Sequence, residues 1–513
     1  MKLGFPSARV LSGALLVVAC HGAPPRAAAP AAAPLQSSSS AAPDAGAELF
    51  EPPPPGSPPQ APFPEVWRQV RDDGLALRVL ERHTYPVIQI ELLLRSGMAS
   101  DGDRPGLAAV AGELLKTGGA GPFSPREIAE RSQALGTTLE VLTDLDATHI
   151  ELSVTSGGLD AALELISAVA LHPRFDATEF RKLRAREIER VQSLAVGSAE
   201  WSASFVLHRE LYHLTSGSHP YARSDALPSE LQRLELGDCR TWHERYVVPS
   251  NASLIVVGDV TPAQVRASVE HWFADWHGET APAPHFVLPL PPVRPRVFIA
   301  DRPGSAQSQI EIGMLGPPRQ SSEWPAFATA NQILGGGVSS RLFLDVRERR
   351  SLAYSARSTL EEVAVGPVPI VLSAGTQTAK TAESVRALLA DLSELATRAP
   401  AADEVERAQT FLADRFLFQL ENVGSLAKLA ADLDVLGLPP DYYDRYRQAL
   451  RALQVPGVAA AATQFLERQP VIVVAGDAAL LAQQLASFGP VTVFDPEHEF
   501  AVKQTLPAGS RPE

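Results

Sequence analysis

Twelve histidines and two cysteines in 513 residues are the first place to look for metal or nucleophile chemistry. His208 and His213 stand five positions apart, and His271 and His277 six. Neither spacing brings two ring nitrogens onto one helix face, which needs separations of three or four. Both pairs therefore read as surface or core histidines and not as a zinc signature. Cys20 and Cys239 are too few for a disulfide framework or a multi-thiolate metal site, and Cys239 reads as a small buried hydrophobe. Gly335-Gly336-Gly337 lacks the Lys-Ser/Thr that follows a phosphate-cradling loop, so it reads as a flexible turn.

Cys20 has a more particular setting. Lys2 and Arg9 precede an apolar run from Val10 to Val18, which ends Val17-Val18-Ala19-Cys20. A positive end, a short apolar stretch and small residues describe an export signal too short to span a bilayer. The cysteine closing that run resembles the lipobox of bacterial lipoproteins, which makes residues 1–20 a signal peptide and Cys20 the lipidated start of the mature chain. The alternative is an ordinary secretory signal cut within Ala27 to Ala33. Residues 21–64, rich in Ala, Pro and Ser, read as a disordered tether. The anchored chain is expected in the bacterial envelope, facing the periplasm. By resemblance to sorting rules, His21 after Cys20 points to the outer membrane.

The elements behind the tether repeat with a period of about 220 residues. The β-type run Val87 to Leu94 has its counterpart in Ser308 to Leu315, and Ala252 to Asp259 is echoed by Pro470 to Asp477. Each first strand leads to a helix, Gly106 to Lys116 or Trp324 to Leu334, and each last strand runs into Gly-Asp and another helix. Pro289, Pro291, Pro292 and Pro295 mark the connector. Thr138 to Leu142 and His149 to Val154 alternate like antiparallel strands. The expected fold is α+β: two homologous, duplicated α/β-sandwich-like domains, 65–290 and 291–500, with antiparallel-rich mixed sheets, flanking helices and a 501–513 tail. A net charge of −14 without a Lys/Arg stripe argues against nucleic acid.

Gly106-Leu107-Ala108, His219-Pro220-Tyr221, Tyr246 to Asn251, Leu334 to Gly337, Ser340 to Phe343, Arg347-Glu348 and Leu352-Ala353-Tyr354 follow one another in the order of a known family. On these motifs the chain resembles the insulinase or pitrilysin-type zinc peptidases, the inverted zincins, in the branch of the mitochondrial processing peptidase. Active members carry His-x-x-Glu-His on the first helix, two zinc ligands flanking a catalytic base. Here that stretch is Ala109-Val110-Ala111-Gly112-Glu113: Ala109 and Glu113 stand at the His positions and Gly112 at the base. Glu187 and Glu189, where the family has its third ligand, cannot rebuild the site. No zinc is expected on this chain.

The second-half signature is kept. In the family an Arg and a Tyr seven residues later reach the substrate, and the resemblance carries these roles to Arg347 and Tyr354, with Gly335, Gly336 and Gly337 bordering the peptide cavity. Ser351 stands where the family favours Gly. The resemblance implies a zinc-free subunit of a two-chain metallopeptidase, with zinc held by a partner paralogue bearing His-x-x-Glu-His and an unfolded peptide as substrate. A non-catalytic peptide-binding or scaffold lipoprotein of the same fold is the alternative. A third possibility is peptidase activity through an unrecognised metal site.

Overall fold

In this computed structural model, residues 61–213, 219–282, 286–287 and 296–509 are described. The signal peptide, Cys20, most of the tether and the connector prolines lie outside them.

Alternating or fully apolar runs form the strands of the first half: β1 (Trp67–Val70), β2 (Ala76–Glu81), β3 (Val87–Leu94), β4 (Glu140–Thr143), β5 (Thr148–Thr155) and β6 (Ala252–Gly258). Its helices are α1 (Leu107–Thr117), α2 (Pro125–Ala134), α3 (Leu159–Leu171), α4 (Ala177–Gly197), α5 (Ala199–Leu211), α6 (Pro228–Gln232), α7 (Leu236–Tyr246) and α8 (Pro262–Trp272). The second half has β7 (Arg296–Asp301), β8 (Gln307–Leu315), β9 (Ala353–Leu360), β10 (Pro369–Gln377), β11 (Val471–Gly476), β12 (Val491–Asp495) and β13 (Ala501–Leu506). Its helices are α9 (Trp324–Gly335), α10 (Thr381–Thr397), α11 (Ala402–Gln419), α12 (Val423–Val435), α13 (Tyr442–Ala452), α14 (Val455–Glu467) and α15 (Ala478–Leu485). Among the described residues no helix is long and apolar enough to cross a membrane.

The sheets run β1-β2-β6-β3-β5-β4 and β13-β12-β7-β11-β8-β10-β9. The last five strands of each order have one topology: β2 lies parallel to β6 as β7 does to β11, and every later neighbour is antiparallel. This is the duplicated α+β fold expected from the repeat. Register refines the alignment by one residue: Gln89 faces Val257 and Gln309 faces Ala475, so Gln89-Ile90-Glu91 matches Gln309-Ile310-Glu311.

Two boundaries need correction. Residues 501–506 are not tail but the edge strand β13, hydrogen-bonded to β12. Their side chains are almost all exposed, so no hydrophobic alternation marked them. The tether ends before Phe63, which is 9% exposed against Phe416 and Tyr443 and whose N–H donates to Asp444 at 3.0 Å.

The halves exchange helices. One face of each sheet is covered by its own half, but the other takes a helix from its counterpart: α5 lies on β8 and β11, and α12 lies on β3 and β6. Val206 and Leu207 of α5 join the second-half core, while Leu426 and Leu429 of α12 pack with Leu93, Ile255 and Val257. Polar contacts follow the same exchange: Asp434 takes Arg78 at 3.2 Å and Ser253 at 2.6 Å, and His208 meets Glu361 at 2.7 Å. The two halves do not separate as independent bodies.

Beneath α5 lies Glu311, 5% exposed. Burial pushes its carboxyl up to about 8; the charges of Glu361 and Glu200 add to this and that of His208 opposes it. A carboxyl that binds its proton more tightly folded than unfolded contributes stability below about pH 4 that is lost as the pH rises through about 8. Glu311→Gln should therefore flatten the pH dependence and make the variant the more stable protein at pH 9, as urea unfolding at pH 5 and pH 9 would measure.

Candidate functional site

The degenerate motif sits on α1, whose start is closely fitted. Gly106 has φ +83°, a left-handed conformation suited to glycine, and a Cβ there would lie 2.8 Å from Ala226. Asp101 accepts the N–H groups of Gly106 at 2.6 Å and Ala108 at 2.8 Å, giving the helix start a carboxyl cap whose pKa burial raises to about 7. One turn on, the residues do not fit a zinc ion. Ala109 offers a methyl group, and Gly112 lies so close to β4 that a Cβ would meet Thr143 Oγ1 at 2.6 Å. Glu113 is already held between Lys116 at 3.4 Å and Arg186 at 3.7 Å. On α4, Glu187 pairs with Arg190 at 2.6 Å and Glu189 is exposed. One salt-bridged carboxylate and a filled space do not make a three-ligand metal site with a base.

Arg347 and Tyr354 do come together. Phe343–Arg349 is a π-helical turn in which the Arg350 N–H donates to the Asp345 carbonyl at 3.0 Å. The guanidinium of Arg347 lies 4.5 Å from the Phe343 ring centroid and 5.1 Å from that of Tyr354, a cation stacked on two aromatic rings. Among the described residues the carboxylate within salt-bridge distance is that of the exposed, adjacent Glu348 at 3.4 Å. Tyr354 is 85% exposed at the start of β9, an outer strand of its sheet, and among the described residues its hydroxyl takes no hydrogen bond. Cation, phenol and an unpaired strand edge thus face one region of solvent. No hydrogen bond, ion pair or ring contact joins this group to Ala109, Gly112 or Glu113.

Ser351 makes the turn between the π segment and β9, with φ +50°. The glycine conformation is therefore kept by a residue for which it costs about 1–2 kcal/mol. Ser351→Gly should raise stability by up to about 1 kcal/mol, since glycine's own entropy cost offsets part of the relief. Chemical denaturation would measure the gain.

Gly335 is not part of the turn expected of the three glycines. Gly335 ends α9 against β9, where a Cβ would lie 2.2 Å from the Ser358 backbone nitrogen, and Gly336 is crowded by the Gln332 side chain. Only Gly337 is open; it lines a cavity of 210 Å3 with Val338, Arg407 and Phe411. Because the obstacle at 335 is backbone, Gly335→Ala should cost about 1–3 kcal/mol, read as a fall in Tm.

One polar node was missed in the sequence. Tyr221 of the His-Pro-Tyr motif donates to Asp146 at 2.5 Å, the Asp146 carboxylate accepts the Ala364 N–H at 2.8 Å, and the Val365 N–H donates to the Tyr221 hydroxyl at 3.2 Å. This ties a β4–β5 turn to the β9–β10 turn of the other half. His219 stacks on Tyr212 at 4.8 Å, and burial pushes its pKa down to about 4, so it serves as a neutral packing ring. The motif was visible, but its role needed a partner from the opposite half.

Two repeated mixed-sheet domains with exchanged helices define a two-domain, M16-like peptidase fold. A family model described as the peptidase M16 inactive domain matches residues 233–412. Uncharacterized zinc protease YmxG of Bacillus subtilis is 25% identical over 241 residues, 47% of this chain and 56% of that protein. Zinc protease PqqE of Helicobacter pylori is 23% identical over 377 residues, covering 70% of this chain and 82% of its own length. The chain spans about half the length of curated relatives such as YmxG. Among solved structures, a peptidase M16 inactive domain from Pseudomonas fluorescens has a TM-score of 0.74 at 23% identity, covering 80% of this chain and 98% of that one. Over residues 233–412 the chain is similar to the peptidase M16 inactive domain, and its first helix carries Ala109, Gly112 and Glu113 where a His-x-x-Glu-His zinc motif would place its ligands and base.

Proposed function

We propose that this chain is the non-zinc-binding subunit of a two-chain metallopeptidase, lining a peptide chamber and lending Arg347 and Tyr354 to a partner that carries His-x-x-Glu-His. The observation that carries this reading is an asymmetry. The α1 positions are filled by a methyl, a glycine pressed on Thr143 and a salt-bridged Glu113, whereas the Arg347–Tyr354 pair is stacked, exposed and largely uncommitted. A guanidinium and a phenolic O–H at one carbonyl oxygen can hold a peptide and stabilise the oxyanion that develops when water adds. The partner supplies zinc, water and base; this chain supplies cavity wall and oxyanion donors to an unfolded peptide.

The anchored, periplasm-facing location through Cys20 belongs to the same proposal and rests on the lipobox-like run ending at that residue. The test mixes this chain with a purified paralogue bearing His-x-x-Glu-His. Peptide cleavage confined to the mixture is the expected result. Cleavage by this chain alone, or a mixture no faster than the paralogue, overturns the proposal and in the second case favours the scaffold reading.

A further inference from the structure

We propose that the first-half sheet carries a divalent-cation site, separate from α1, formed by Glu91, His149 and Glu151 and suited to a borderline ion such as Zn2+. It departs from the expectation that this chain holds no metal, and it does not depend on the two-chain reading above. Glu91 and Glu151 are directly opposite in the β3–β5 pairing, and His149 lies two residues before Glu151, so the period of two puts all three on one face. One potential ligand atom from each lies within 4.8 Å of the others.

Glu91 is 2% exposed and bonds His149 Nδ1 through one oxygen at 2.7 Å; among the described residues its other oxygen takes no hydrogen bond. Glu151 receives only a long 3.4 Å bond from Gln89. Asp144 stands 3.3 Å from His149 Nε2, so it can orient the ring and leave Nδ1 facing the two carboxylates, the carboxylate–histidine–metal arrangement. An imidazole with two carboxylates is the donor set of a zinc-like ion, and bonds of about 2 Å require the half-buried Glu151 to swing inward. The facing cation is Lys428 of α12, already paired with Asp432 at 3.2 Å.

The duplicated half supplies an internal control. Glu311 occupies the place of Glu91, but Ser373 stands where Glu151 is and Val371 where His149 is. The same sheet therefore forms without the imidazole and the second acid, so the fold does not demand them.

Isothermal titration of the full chain with ZnCl2 tests this. One ion per chain is expected, with at least about 10-fold weaker binding in Glu151→Gln and His149→Gln and no change in Glu113→Gln. Co2+ added in place of Zn2+ should give a d–d absorption that Glu151→Gln loses. No saturable binding, or binding that both Glu151→Gln and His149→Gln leave intact, overturns the proposal. Should His149→Gln fail to fold, the more solvent-accessible Glu151→Gln decides alone.

Discussion

Arg347→Ala in the two-chain mixture should lower kcat/KM for peptide cleavage about 100-fold, near the lower end of the 10²–10³ range for losing one oxyanion donor. The lower end is expected because the guanidinium is 36% exposed, so water screens part of its field. Most of the loss should fall in kcat if the bond strengthens as the carbonyl oxygen gains charge, and in KM if Arg347 only holds the ground state. Tyr354→Phe removes one neutral donor and should cost about 10-fold, or roughly 1.4 kcal/mol. Neither change should move Tm by more than a degree or two, since the Arg347 side chain is 36% and Tyr354 85% exposed. Unchanged cleavage in both variants would sink the assignment of these residues while leaving the subunit pairing to stand on the mixing assay.

The largest expected stability effect lies at the helix exchange. Leu207 of α5 is fully buried on the second-half sheet, and α5 approaches so closely that a Cβ on Gly313 would meet Leu207 Cδ1 at 2.6 Å. Leu207→Ala leaves a cavity where neither helix nor strand can easily collapse, at a cost of about 2–5 kcal/mol. Although the residue belongs to the first half, hydrogen exchange should show β8 losing protection together with β3, in one cooperative transition. Loss of protection confined to the first half would mean that the two halves unfold independently.

Much of the site was legible as residue identity. A zinc motif is a demand for particular atoms at particular helical spacings, so Ala109, Gly112 and Glu113 announce its absence without coordinates. The departure at Ser351 was equally visible, but that it retains a left-handed backbone was not, because φ at one residue follows from the turn that holds it. Gly335 was misread for a related reason: composition signals freedom, whereas there the missing side chain serves close approach to Ser358. The β13 strand escaped notice because an edge strand exposed on both faces has no hydrophobic alternation to display.

By itself the sequence determined the duplication, the α+β class, the lack of His-x-x-Glu-His at residues 109–113 and the spacing of Arg347 and Tyr354, all of which are local patterns or identities along the chain. Only the tertiary structure decided which sheet each helix covers, that Tyr221 and Asp146 reach the β9–β10 turn, and that Glu91, His149 and Glu151 share one face. An amphipathic helix states that it needs an apolar partner but not which one. That choice is made by the packing of two equivalent sheets, each of which accepts the other half's helix.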